Sequence, residues 1–238
     1  MDGEEQKVQF SFTEEELKHL RLWRLAWSPL RIVLGLTLFS LVSGGFGRFF
    51  AAPPSRVFTV LFIVMVIVER LVQYPDLGGQ RKDRGSVVAL WCGFGLSYIL
   101  AMIEYFHFPE SWHLLRWNMW YVLAGGLFFA CGQLLRVVAI RTLGRFFTVS
   151  VRVHEGHRVI KDGVYRRVRH PAYTGLWLIA FGFTLLFASA VGLLFFFTFG
   201  TGALLYRIRV EEGALVQQFG EEYVQYMKKT KRLVPFLI

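Results

Sequence analysis

Charge is scarce in this 238-residue chain: 18% of its residues are Asp, Glu, Lys or Arg, against about 25% in soluble domains. Cysteine is scarcer still. Cys92 and Cys131 each fall inside an apolar run, which argues against a disulfide framework and against a thiolate metal site. Asparagine occurs once, at Asn118, and starts no glycosylation sequon. The first twelve positions hold acids and no apolar core, so no cleavable signal peptide is expected. The final Val-Pro-Phe-Leu-Ile offers no Cys for prenylation. What fills the chain instead is 54% hydrophobic residues, 17% of the total being aromatic, with a mean hydropathy of +0.43. This composition excludes a soluble globular enzyme, a disordered chain and a secreted disulfide scaffold. It predicts an all-α, polytopic membrane helix bundle.

Candidate spans are Leu30–Phe50, Arg56–Tyr74, Ser86–Phe106 and Asn118–Ile140. A further apolar stretch runs from Tyr173 to Tyr206 and is broken near Ser189–Gly192. Folded back on itself, it gives two limbs of about 17 residues, each just enough to cross a hydrocarbon core of roughly 30 Å. A tight helical hairpin and six spans in all are therefore expected. Ahead of them, Thr13-Glu14-Glu15-Glu16 reads as a capping box. The amphipathic residues after it predict either a helix lying in the membrane interface or an extension of the first span. The chain divides on this reading into an interfacial segment (1–29), three spans (30–117) and a chemistry-bearing region (118–238).

The formal charge of +10 is unevenly placed. The connections after the first, third and fifth spans hold only Arg48, Arg56 and Arg116, while the others and the tail hold the remaining basic clusters. Basic residues concentrate on the cytoplasmic side, so both termini are expected there. The asymmetry accounts for the charge without a nucleic-acid partner. Three hydrophilic segments then share the inner side: Arg141–Pro171, the helix end Arg207–Gly220 and the tail Glu221–Ile238. In the first, Thr148–Val153 alternates as a short extended element would, and Lys161-Asp162-Gly163 signals a turn. His154, His157 and His170 lie in that connection with no carboxylate or thiol at a useful spacing, so no metal is expected. Arg207 and Glu211, four apart, share a helix face. They read either as a local ion pair or as complementary charges aimed at a ligand. Glu69–Arg70 and Gln133–Arg136 lie near the inner boundary, where cavity lining, snorkelling and interhelical hydrogen bonds all explain them.

The segment His157-Arg-Val-Ile-Lys-Asp-Gly-Val-Tyr165-Arg-Arg-Val-Arg169-His170-Pro171-Ala172-Tyr173-Thr-Gly resembles the cofactor segment of isoprenylcysteine carboxyl methyltransferases. So do Arg207-x-x-x-Glu211-Glu212, Phe219-Gly220-Glu-Glu-Tyr223-x-x-Tyr226 and Arg232-Leu-Val-Pro235, in the same order. The resemblance runs from about Arg136 to the C-terminus. It implies a membrane methyltransferase that takes its methyl group from S-adenosylmethionine, with cofactor contacts at His157, Arg158, Val159, Ile160, Tyr165, His170, Pro171, Ala172, Tyr173 and Glu211. It implies that Arg207 meets the carboxylate of a prenylcysteine-like, lipophilic acceptor entering from the membrane lipids. A phospholipid amine, as in related phospholipid methyltransferases, and a small thiol are alternative acceptors, so the acceptor class stays open on the sequence, as does the oligomeric state. Ser150 departs from the pattern: eukaryotic members carry a longer polar side chain there, so one cofactor contact is absent or supplied differently. The Arg169-His170-Pro171-x-Tyr173 segment also resembles NADPH-dependent sterol reductases, which place Asn where Ala172 stands.

Overall fold

The computed structural model describes residues 28–72, 80–81, 84–147, 152–153 and 159–233. The capping box at Thr13 and its expected helix lie outside the described residues, as do Ser150, His154, His157 and Arg158. Among the described residues nine α-helices follow one another: α1 (Ser28–Val42), α2 (Phe46–Ala51), α3 (Pro53–Val72), α4 (Ser86–His107), α5 (Met119–Leu143), α6 (Pro171–Leu185), α7 (Ala190–Phe195), α8 (Thr201–Phe219) and α9 (Glu221–Lys229). A π turn, Phe196–Gly200, joins α7 to α8, making one rod from Ala190 to Phe219. Ser86–His107, Met119–Leu143 and Ala190–Phe219 are long and apolar enough to cross a membrane; Pro29–Val42 and Pro171–Leu185 are shorter apolar helices.

The expected first span, Leu30–Phe50, is corrected. Helix α1 stops at Val42, where Gly44 and Gly45 take φ of +88° and +118°, and the chain restarts as the short α2. Only glycine adopts such angles without strain. The Ser40 and Ser43 hydroxyls donate back to the carbonyls of Thr37 and Ser40, a side-chain competition that loosens a helix end. Helix α3, the expected second span, begins at Pro53, three residues before the expected Arg56, because proline is well suited to a first helical turn. Helices α4 and α5 lie within three residues of the expected Ser86–Phe106 and Asn118–Ile140, α8 continues past Tyr206 to Phe219, and the expected end at Tyr74 lies outside the described residues. Asn118 caps α5 by accepting from the Trp120 amide at 2.9 Å.

The hairpin is present, with its tip at Leu186–Ser189. Ser189 accepts from the Gly192 amide at 2.8 Å, and the buried Glu104 of α4 accepts from the Val191 amide at 2.9 Å and from the Ser189 hydroxyl. These bonds satisfy the donors that begin the long rod. Helices α5 and α6 pack antiparallel through glycines seven apart. A Cβ on Gly132 would stand 2.6 Å from the Gly175 carbonyl oxygen, and one on Gly182 would stand 2.5 Å from that of Gly125. Backbones approach this closely only where side chains are absent, which is how helices gain packing in lipid. Phenylalanines fill the rest: Phe58, Phe129, Phe183 and Phe187 join α3, α5 and the hairpin in one cluster, and Phe94 and Phe196 anchor a second between α4 and the rod.

One end of the bundle gathers the C-terminal ends of α3 and α5, the N-terminal ends of α4 and α6, and the polar part of α8. The expected extended element is confirmed in part. Arg152–Val153 pairs antiparallel with Gln80–Arg81, so the connection before α4 meets the connection before α6 at this same end.

Candidate active site

His170 closes the connection and Pro171 opens α6. The proline bars its predecessor from helical angles, and His170 accordingly sits at φ −125°, ψ 53°. That break aims the first turn of α6 at α8. The Tyr173 hydroxyl donates to Glu211 Oε2 at 2.5 Å and accepts from Arg207 Nε at 2.9 Å. Arg207 is the largest fully buried side chain described, 1% exposed, and its Nη1 donates to Ser86 Oγ at 2.9 Å at the start of α4. Glu211 keeps 27% of its side chain exposed, with His170 Nδ1 at 3.9 Å. The site thus sets a buried guanidinium, a phenol and a half-open carboxylate in a row.

A second layer locks the connection and the tail onto α8. Glu212, one residue beyond Glu211, accepts from Arg169 Nε at 2.9 Å and from Arg232 Nε at 3.0 Å, with His170 Nε2 at 3.4 Å. The tail then runs beside the connection. The amides of Arg169 and His170 donate to the carbonyls of Lys231 and Arg232, and Thr174 Oγ1 donates to the Leu233 carbonyl at 2.7 Å. Tyr226 of α9 donates to the Tyr165 carbonyl at 2.7 Å. Burial pushes the Tyr226 phenol up from its ordinary value, so it stays a donor through neutral pH. Burial and then the nearby Glu211 charge do the same for Tyr165. On the other flank, Arg136 of α5 pairs with both carboxylate oxygens of Glu69 on α3 and donates to the Ala172 carbonyl at 3.1 Å.

Of the residues expected from sequence, Tyr165, His170, Pro171, Ala172, Tyr173, Arg207 and Glu211 therefore come together. Val159 and Ile160 lie half-buried just before the Lys161–Gly163 turn. Sequence reasoning gave no role to Ser86, Arg169 or Glu212, and left Glu69 and Arg136 without partners. The adjacent acids Glu211-Glu212, facing a connection rich in arginine, were the available signal for Glu212. Nothing in the sequence pointed to Ser86.

The model of the isoprenylcysteine carboxyl methyltransferase (ICMT) family matches residues 125–217. The chain is 30% identical over 186 residues to protein-S-isoprenylcysteine O-methyltransferase B of Arabidopsis thaliana, covering 76% of this chain and 94% of that protein. The chain belongs to the isoprenylcysteine carboxyl methyltransferase family. It is 33% identical over 190 residues to the protein-S-isoprenylcysteine O-methyltransferase of Saccharomyces cerevisiae, covering 74% and 79% of the two chains. The fold matches the solved structure of the eukaryotic intramembrane Ras methyltransferase ICMT with a TM-score of 0.57 at 21% identity, covering 94% of this chain and 82% of that one. As a member of the family it is an integral, multi-pass membrane enzyme and an S-adenosylmethionine-dependent methyltransferase. The residues fit such a cofactor: a half-exposed carboxylate beside a tyrosine ring suits a cationic sulfur and an ammonium group, and Glu211 with Tyr173 supplies both.

Proposed function

We propose that the chain transfers methyl from S-adenosylmethionine to the carboxylate of a prenylcysteine-like lipophilic acceptor, its relatives being protein-S-isoprenylcysteine O-methyltransferases by name. The observation that carries this reading is the buried Arg207, held between Tyr173 and Ser86 beside the half-open Glu211. A guanidinium at that depth is stabilised by an anionic partner, and a carboxylate is the anion whose planar geometry it matches. Arg207 positions the acceptor carboxylate. His157, Arg158, Val159, Ile160, Tyr165, His170, Pro171, Ala172, Tyr173 and Glu211 hold the cofactor.

An α-carboxyl has a pKa of roughly 3.3–3.7, so it is ionised at neutral pH and needs no general base. The cofactor supplies a methyl group on a cationic sulfur that leaves as a neutral thioether. The residues therefore orient and dehydrate. Arg207 fixes the carboxylate plane, Tyr173 sets the spacing between Arg207 and Glu211, and the tail locked by Glu212 keeps water from the nucleophile. Positioning of this kind is worth about 7–11 kcal/mol of a barrier. Six spans, counting the hairpin as two, with both termini and the site on the cytoplasmic side, accommodate a polar cofactor arriving from water. The acceptor's apolar tail then enters from the bilayer, with the region from residue 118 onward carrying the chemistry.

The test is methyl transfer by purified protein in detergent. With radiolabelled cofactor, N-acetyl-S-farnesylcysteine should gain a base-labile methyl ester, and phosphatidylethanolamine should gain no label. Label on the amine and none on the carboxylate would overturn the reading.

A further inference from the structure

The start of α4 is bonded to two successive residues of α8. Ser86 Oγ accepts from Arg207 Nη1 at 2.9 Å, and the Tyr206 hydroxyl donates to the Arg84 carbonyl at 3.2 Å. Between these bonds the chain turns sharply, with Arg84 and Gly85 at φ of +45° and +74°. Glycine adopts such an angle freely, whereas an arginine does so only with strain. Backbone strain persists where surrounding contacts hold it. Here the turn delivers Ser86, fully buried, to the guanidinium of Arg207.

The bond matters because of what it holds. Arg207 is buried too deeply for water to fix its orientation. A guanidinium meets a carboxylate in its own plane, through N–H groups that fan out in a rigid fork. Its charge attracts an anion from any side, but the plane decides the line of approach. That line is decisive in methyl transfer. The carboxylate oxygen must meet the methyl carbon opposite the breaking C–S bond, whose electron pair leaves with the sulfur. Bonds on two different nitrogens set the plane of Arg207: Nε to the Tyr173 hydroxyl at 2.9 Å, and Nη1 to Ser86. Tyr173 belongs to α6, next to the cofactor connection. Ser86 comes from α4, a helix otherwise long and apolar enough to cross a membrane.

We infer that Ser86 is a positioning residue for methyl transfer: its hydroxyl sets the plane of Arg207, and so the angle at which the acceptor carboxylate faces the methyl group. The inference rests on the role given to Arg207 under Proposed function. It adds one residue from the first half of the chain to a site otherwise built from residue 118 onward.

Removing the hydroxyl leaves the charge of Arg207 in place, so the acceptor still binds while its alignment worsens. With N-acetyl-S-farnesylcysteine as acceptor, Ser86→Ala should lower kcat about 10–100-fold and change KM by less than about threefold. Cofactor affinity, read by calorimetry in detergent, should stay at the wild-type value. Ser86→Cys keeps the volume and weakens the accepting atom, and it repeats the measurement should the alanine variant not fold. Tyr206→Phe breaks the other bond between the same two helices without touching the guanidinium, and should leave kcat within about twofold of wild type. A kcat retained without the Ser86 hydroxyl, a change confined to KM, or an equal loss in Tyr206→Phe overturns the inference while leaving the carboxylate chemistry standing. No methyl ester formed by the wild-type protein overturns both.

Discussion

Arg207 and Glu211, one helical turn apart, approach no closer than 4.0 Å, because the hydroxyl of Tyr173 stands between them. A direct ion pair would neutralise both charges and leave little for a ligand. With the phenol interposed, the two charges are held apart along one helix face. Tyr173→Phe keeps the ring and removes this spacer. Methyl transfer should fall about 10–100-fold in kcat/KM with helical content unchanged. Circular dichroism alongside the assay separates a lost spacer from a lost fold.

The two charges should also come apart functionally. Arg207→Ala should weaken use of the acceptor while cofactor affinity stays close to wild type, and Glu211→Ala should weaken cofactor binding. Calorimetry in detergent with the cofactor alone reads this directly. Equal losses in both variants would erase the assignment.

Glu212 makes a separate prediction. Its carboxylate is buried and shared among Arg169, Arg232 and His170, which ties the tail to the connection. Replacing one member of a buried charged network leaves the others uncompensated. Glu212→Gln should release the tail, so trypsin should cleave faster after Lys228, Lys229 and Lys231. Cofactor affinity should drop about tenfold, a loss of ~1.4 kcal/mol. Unchanged cleavage would show that the backbone pairing of Lys231 and Arg232 suffices.

The glycine seam can be tested against its own neighbour. A Cβ at Gly132 collides with the Gly175 backbone, whereas one at Gly126 meets nothing within 4 Å. Gly132→Val should lower the melting temperature sharply and reduce activity, since α5 would be pushed off α6 and the site with it. Gly126→Ala should be neutral or stabilising by up to ~1 kcal/mol, the helix-propensity gain. Equal effects at the two positions would remove the seam as the determinant of this packing.

Much of this architecture was legible because lipid imposes simple rules. Run length placed α4 and α5 to within a few residues, and the excess length of Tyr173–Tyr206 demanded a hairpin. Cationic asymmetry brought the connection, the end of α8 and the tail to one side, where the structure does pack them together. Local backbone chemistry was harder to read. The Gly44-Gly45 break in the first apolar run has no hydropathy signature, since glycine and serine barely lower the average. Partners distant in sequence were invisible as well: Glu69 and Arg136 lie 67 positions apart, Ser86 and Arg207 lie 121. Pattern reasoning sees a residue's own face of a helix, not what another helix brings to it.

The pairing of Lys231–Leu233 with Arg169–Thr174 stitches together segments as far apart in sequence as Thr174 and Leu233, 59 positions. A nick just ahead of Lys231 would therefore leave each described helix whole while stripping the hydrogen-bonded edge that supports His170. The membrane bundle would survive such a cut and the site would not.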